Sequence, residues 1–170
     1  DIQNLLNASN KVNHKQIFMN SASPGVISLF LSNSYYSSRN EYLDAIATAM
    51  QEEYETIVNA GIQLQIDCPD LALSRHMTFK NKSDEDFIKI ANHNMEILNE
   101  SLKNIPSNKL RLHVCWGNYE GPHIHDISIE KIFEVLMSFK GDYLLFESSN
   151  PRHQHEWEIF KKLKSKIPEN

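Results

Sequence analysis

The chain predicts an α/β fold, read as a partial (β/α)8 TIM barrel of about four strand–helix units. Three observations carry this. Short strand-like runs alternate with stripes at helical spacing, the pattern of parallel strands joined by crossover helices. Three of those strands also place polar residues on one face, whereas an open doubly wound sheet, covered on both sides, reads as apolar on both. Finally, Asp67, His113 to Cys115 and Glu147 all fall at strand ends, where the active site of an α/β barrel sits.

The elements follow in order. Residues 1 to 15 are rich in Asn and Lys with a short apolar patch at Leu5-Leu6, and read as a helical turn and a loop. Gln16-Ile17-Phe18-Met19 is the first strand, ending in Asn20-Ser21-Ala22-Ser23-Pro24-Gly25, whose small residues and Pro-Gly pair mark a loop. Val26 to Leu31 is a short apolar helix or an extended segment, and its periodicity does not decide between them. Tyr42, Ala45, Ile46, Ala49, Met50, Tyr54, Ile57 and Val58 recur at helical spacing, with Gly61 as the stop. Ile62-Gln63-Leu64-Gln65-Ile66-Asp67 alternates perfectly, so Asp67 emerges on the polar face.

Ser83, followed by Asp84, Glu85 and Asp86, makes a helix start, and Phe87, Ile90, Ala91, Met95, Leu98 and Leu102 carry its stripe to Pro106. The strand Leu110 to Cys115 comes next, then a loop from Trp116 to Asp126. A helix bearing Ile129, Ile132, Phe133, Leu136 and Met137 leads past Gly141 to the strand Asp142 to Glu147. Trp157, Phe160 and Leu163 mark a last helix, and both tryptophans read as core.

Length and composition bound the function. The 170 residues suit a single domain over 1–170, and a net charge of −5 without a basic cluster argues against nucleic acid or an anionic membrane as partner. Cys68 and Cys115 are too few for a disulfide framework, and no apolar run is long enough to span a bilayer. A reducing, cytoplasmic setting is expected. The sequence begins without Met and stops just after a helical pattern, so a fragment of a longer chain is expected too.

The chemistry concentrates on the strand Arg111-Leu112-His113-Val114-Cys115. Side chains two apart on a strand share a face, so His113 and Cys115 point the same way. An imidazole and a thiol are zinc-type ligands, and a right-handed parallel crossover brings Glu147 beside Cys115 as a third. Taken alone, the His113 and Cys115 pair also reads as two ordinary core residues. Five of the eight histidines nevertheless fall between residues 113 and 155. Among the loop residues His123, His125, Asn150, Arg152, His153 and His155, Asn150 and Arg152 are the candidates for substrate contact, Arg152 by pairing a carboxylate or phosphate.

Asp67 in Ile66-Asp67-Cys68-Pro69-Asp70-Leu71, then His113-Val114-Cys115, then Phe146-Glu147-Ser148-Ser149, resemble in order and spacing the catalytic domain of cobalamin-independent methionine synthase. Arg111 to His125 and Asn150 to Trp157 are more similar to a less characterised branch of that superfamily, and the resemblance covers nearly all of residues 16 to 165. It implies a zinc-dependent transfer of a methyl or alkyl group to a thiol such as homocysteine. His113, Cys115 and Glu147 would ligate zinc, and Asp67 would hold the substrate's amino group. The implied partners are a small-molecule thiol and a methyl donor, a folate among the candidates.

Two departures follow from the same resemblance. The family's fourth protein ligand is a Cys on a later strand, which this sequence does not reach before Asn170. Cys68 follows Asp67, and neighbouring residues point to opposite faces of a strand, which makes it a poor substitute unless the strand has already ended there. An incomplete active site is therefore expected within these residues. A noncatalytic module binding a small molecule, or a zinc hydrolase using three ligands and an open position, are the alternatives. Four units also leave two open sheet edges, so pairing with a second copy or with further chain is expected.

Overall fold

The computed structural model describes residues 1–167 except Tyr119, Ser148 and Asn150. In chain order its elements are α1 (Ile2–Ser9), β1 (Phe18–Ala22), α2 (Pro24–Phe30), α3 (Arg39–Asn59), β2 (Gln63–Asp67), α4 (Leu73–Met77), α5 (Asp84–Ser101), β3 (Leu110–Val114), α6 (Ile129–Met137), β4 (Tyr143–Phe146) and α7 (Glu158–Lys162).

The four strands form one parallel sheet in the order β1-β2-β3-β4. Each strand therefore lies beside its neighbour in sequence, without the reversal that marks the centre of a doubly wound sheet. This is the order of consecutive strands in an α/β barrel. Among the described residues the sheet does not close, and β1 and β4 are each paired on one side only.

Alternation along the strands separates two faces. Leu64, Ile66, Leu110, Leu112 and Val114 are wholly buried against the helices. Burying each such side chain contributes about 1.5–3 kcal/mol relative to leaving it in water. The opposite face carries two rows fixed by the register, Asn20, Gln65, Arg111 and Tyr143 in one and Ala22, Asp67, His113 and Leu145 in the next. Arg111 stacks over the Phe18 ring at 4.1 Å, and Gln65 donates to Asn20 at 2.8 Å.

Helices α3, α5 and α6 cover the apolar face with α5 between the other two, and Ile159 of α7 joins the same core. Ser38 and Ser83 accept from the backbone N–H groups of Glu41 and Asp86, both at 3.1 Å, which satisfies donors left open at the starts of α3 and α5. Gly61, at φ +82°, reverses the chain after α3 in the left-handed conformation that only glycine adopts cheaply. No helix among the described residues is long and apolar enough to cross a membrane.

The structure differs from the sequence reading in several places. β1 runs through Ala22 rather than ending at Met19, because Asn20, Ser21 and Ala22 pair with Gln65, Ile66 and Asp67. The undecided segment after Pro24 is helical, with Ser23 accepting from Val26 N–H at 3.0 Å as its cap. A short helix, α4, occupies a stretch that carried no periodic signal. Trp116 is core at 2% exposure, whereas Trp157 stands 47% exposed with Lys161 over its ring.

Candidate functional site

The parallel register makes Asp67 and His113 direct partners on β2 and β3. Asp67 ends its strand, and His113 Nδ1 donates to Asp67 Oδ1 at 2.6 Å. That hydrogen bond raises the His113 pKa above its ordinary value, against the opposing effect of burial and with help from the carboxylate's charge. Cys115 lies one residue past β3, two beyond His113. One ligand atom each from Asp67, His113 and Cys115 lies within 4.8 Å of the others.

Burial pushes the Cys115 thiol above its usual pKa, and the charges of Asp67 and Glu147 push it further, opposed by a hydrogen bond from the Gly117 backbone. Gly117 adopts φ +80°, and a Cβ there would come within 2.7 Å of Leu73, so the turn that carries the chain past Cys115 requires glycine. The chemistry of the set is one imidazole nitrogen, one thiol and one carboxylate at the C-terminal ends of adjacent strands. Such donors fit zinc, and a divalent cation among them would favour the thiolate over the thiol.

Glu147 follows β4 directly, as Cys115 follows β3, each one residue beyond the registered pair Val114 and Phe146. Its side chain is exposed and electrostatically sensed by Cys115, but it lies outside the 4.8 Å group. Arg152 is exposed in the turns that follow β4, and Asn150 lies outside the described residues. Cys68 is wholly buried in the core, which pushes its thiol pKa up, and is not a member of the 4.8 Å group, although the charges of Asp67 and Cys115 reach the thiol and add to that rise.

A second polar cluster joins the loop after β3 to the segment after β4. His153 stacks on Trp116 with ring centroids 4.1 Å apart, and Trp116 Nε1 donates to Ile127 O at 2.6 Å. The two ring nitrogens of His153 face Asp126 Oδ2 at 3.1 Å and Glu156 Oε2 at 3.0 Å. Burial alone would lower the His153 pKa, but the two carboxylates outweigh it and hold the ring protonated, with a pKa of about 9. His123 Nδ1 lies 3.0 Å from both oxygens of Asp126.

Sequence reasoning named His123 and His153 but missed Asp126, Glu156 and His76. A signal was present in the three-residue spacings His123 to Asp126 and His153 to Glu156, which place an acid one turn after each histidine. His76 and His125 border a cavity of about 660 Å³ between α4 and the loop after β3, which Gly117 also lines.

No protein-family model matches the chain, and no solved structure matches it. Among curated proteins it is similar to the methionine synthase of Saccharolobus islandicus (strain L.S.2.15 / Lassen #1), 28% identical over 112 residues that cover 64% of this chain and 30% of that protein. The methionine synthase of Saccharolobus solfataricus is likewise 28% identical over 112 residues, with the same coverage. That of Sulfolobus acidocaldarius is 26% identical over 119 residues, 68% of this chain and 31% of that protein. The chain is thus distantly similar to archaeal methionine synthases and spans about 30% of the length of those relatives.

Proposed function

We propose that this chain carries part of the active site of a zinc-dependent enzyme that transfers a methyl group to a small-molecule thiol such as homocysteine. The convergence of Asp67, His113 and Cys115 at the C-terminal strand ends carries the reading, and the similarity to methionine synthases supports it. His113, Cys115 and Glu147 would hold the ion. Zinc, when bound, supplies the Lewis acidity that keeps a coordinated thiol substrate ionised near neutral pH.

The protein's own groups do the positioning. Asp67 Oδ1 takes the Nδ1 proton of His113, which fixes the tautomer that leaves Nε2 with its lone pair for a metal. Asp67 is 45% exposed at its side chain, so its second oxygen can receive a substrate ammonium group while the first holds the ring. In the transfer, the substrate sulfur forms a bond to the methyl carbon as the donor's bond to that carbon breaks. The electron pair stays with the departing group, which takes up a proton. A methylated folate is one candidate donor.

Metal analysis of protein purified without chelator or a histidine tag tests the reading. Zinc content is expected to fall by about one equivalent per chain in Cys115→Ser and in His113→Ala, and the full-length protein is expected to transfer a methyl group to a thiol. Unaltered zinc content in Cys115→Ser overturns the site, and a zinc-loaded full-length protein that methylates no thiol overturns the activity.

A further inference from the structure

Asp126 is the meeting point of three histidines contributed by three separate segments. His123 approaches from the same loop, His153 from the segment after β4, and His76 from α4, its Nδ1 3.9 Å from Asp126 Oδ1. The His76 and His123 rings stack with centroids 5.0 Å apart and planes 20° from parallel. One ligand atom each from His76, His123 and Asp126 lies within 4.8 Å of the others. We propose that these three side chains form a second metal site, nitrogen- and oxygen-ligated, for a divalent transition-metal ion. It shares no residue with the Asp67, His113 and Cys115 group.

The spacing suits coordination. Ligands about 2.0–2.2 Å from a metal stand about 2.8–3.6 Å from one another across octahedral and tetrahedral geometries. The 3.0 Å from His123 to Asp126 already meets that, and the 3.9 Å from His76 needs only a small side-chain adjustment. The surroundings are also those of a metal site, in which bound carboxylates are themselves oriented by further hydrogen bonds. Here His153 donates to Asp126 Oδ2, Glu156 receives the other His153 proton, and Glu156 Oε1 accepts from Ile129 N–H at 3.2 Å.

The surroundings are acidic as well, because Glu156 stands on the far side of His153 from Asp126 and brings a second carboxylate to the cluster. The side chains of Asp126 and His123 are 8% and 0% exposed, while His76, at 14%, borders the cavity of about 660 Å³. The ligand atoms are thus enclosed by protein, and of the three residues only His76 borders the cavity. Two imidazoles and one carboxylate, without sulfur, suit zinc, iron(II), cobalt or nickel, with positions left over for water or a substrate oxygen.

Cobalt(II) tests the proposal, because thiolate ligation gives a sulfur-to-cobalt charge-transfer band in the near ultraviolet and a nitrogen and oxygen site does not. The full-length protein is titrated with cobalt(II), and folding of each variant is checked by near-ultraviolet circular dichroism. Cys115→Ser is expected to lose much of the charge-transfer band, any remainder coming from the Cys on a later strand that the family resemblance implies, yet keep nitrogen- and oxygen-bound cobalt with visible d–d absorption. His76→Phe retains the ring stacking but offers no ligand atom; added to Cys115→Ser, it should weaken the remaining binding by about 100-fold or more. His76→Phe alone should keep the charge-transfer band. Asp126→Asn, which preserves shape, gives a second route to the same loss.

A folded Cys115→Ser protein that binds no cobalt, or one whose remaining ion is indifferent to both His76→Phe and Asp126→Asn, overturns the second site and leaves the cluster as a hydrogen-bonded brace. A wild-type protein without the charge-transfer band but with d–d absorption sensitive to His76→Phe would overturn the Cys115 site and support this one.

Discussion

Asp67 and His113 stand as register partners at the ends of adjacent parallel strands, tied by a 2.6 Å hydrogen bond from the ring to the carboxylate. One oxygen of Asp67 thereby orients the imidazole, and the bond is worth more than its own stability if Nε2 serves a metal. Asp67→Asn is expected to lower zinc affinity by about 10–100-fold while leaving saturable binding intact, the usual effect of removing a carboxylate behind a metal-bound histidine. Competition against a chromophoric chelator measures it. His113→Ala should abolish the site outright, and equal effects of the two substitutions would contradict the assigned division of labour.

A second expectation concerns the packing around the buried carboxylate of Asp70. Asp70 is 3% exposed and accepts hydrogen bonds from Ser23 at 2.6 Å and Asn94 at 2.8 Å. Gly25 sits against this carboxylate so closely that a Cβ would meet Asp70 Oδ2 at 1.9 Å and Asn94 Nδ2 at 2.7 Å. Gly25→Ala must therefore displace a buried carboxylate from its partners. A loss of about 2 kcal/mol or more is expected, combining overpacking with weakened buried hydrogen bonds. Urea denaturation decides it, and a change within about 0.5 kcal/mol, the range of innocuous surface substitutions, would mean the contact relaxes freely.

How much of this was legible in the sequence depends on what each feature requires. The alternation from Ile62 to Asp67 fixed which side chains face the helices, because a period of two leaves no freedom once one face is apolar. His113 and Cys115 were readable for the same reason. That Asp67 meets His113 was not, since pairing across strands is set by main-chain hydrogen bonds between segments about 46 residues apart. His76 escaped because α4, Leu73–Met77, is too short to show a periodic stripe and has no side-chain cap. β1 was placed too early because Asn20, Ser21 and Ala22 have the composition of a loop, although the neighbouring strand binds them.

Asp84 offers a pH-dependent test of how the helices are joined. It starts α5, accepts from Arg75 of α4 at 2.9 Å and pairs with Lys131 of α6. The Lys131 hydrogen bond holds the Asp84 carboxyl below its ordinary pKa, against partial burial and with help from Arg75. A carboxylate whose pKa is depressed by folding contributes stability above its unfolded value, about 3.9, and loses it as pH falls through the folded value. Asp84→Asn should therefore cost up to about 1 kcal/mol at neutral pH, given the exposure of Lys131, and the deficit should shrink in salt and vanish in strong acid. Denaturant curves from neutral pH down to below the carboxylate range measure it. A deficit that persists unchanged in acid would mean the substitution acts through packing instead.

The edges of the sheet supply the last expectation. β1 and β4 each have a strand partner on one side only among the described residues. Their polar-face residues Phe18 and Tyr143 are 44% and 48% exposed. Unpaired backbone donors and acceptors beside exposed aromatic rings invite pairing with another strand. A polypeptide limited to these 170 residues is therefore expected to self-associate in a concentration-dependent way, as followed by light scattering. Tyr143→Lys should shift it toward monomer, because a charged residue on an edge strand costs desolvation when a neighbour docks. A monomer at every concentration, melting cooperatively, would show that four strand–helix units cover their own edges, and the reading of this sheet as part of a larger barrel would then have to be given up.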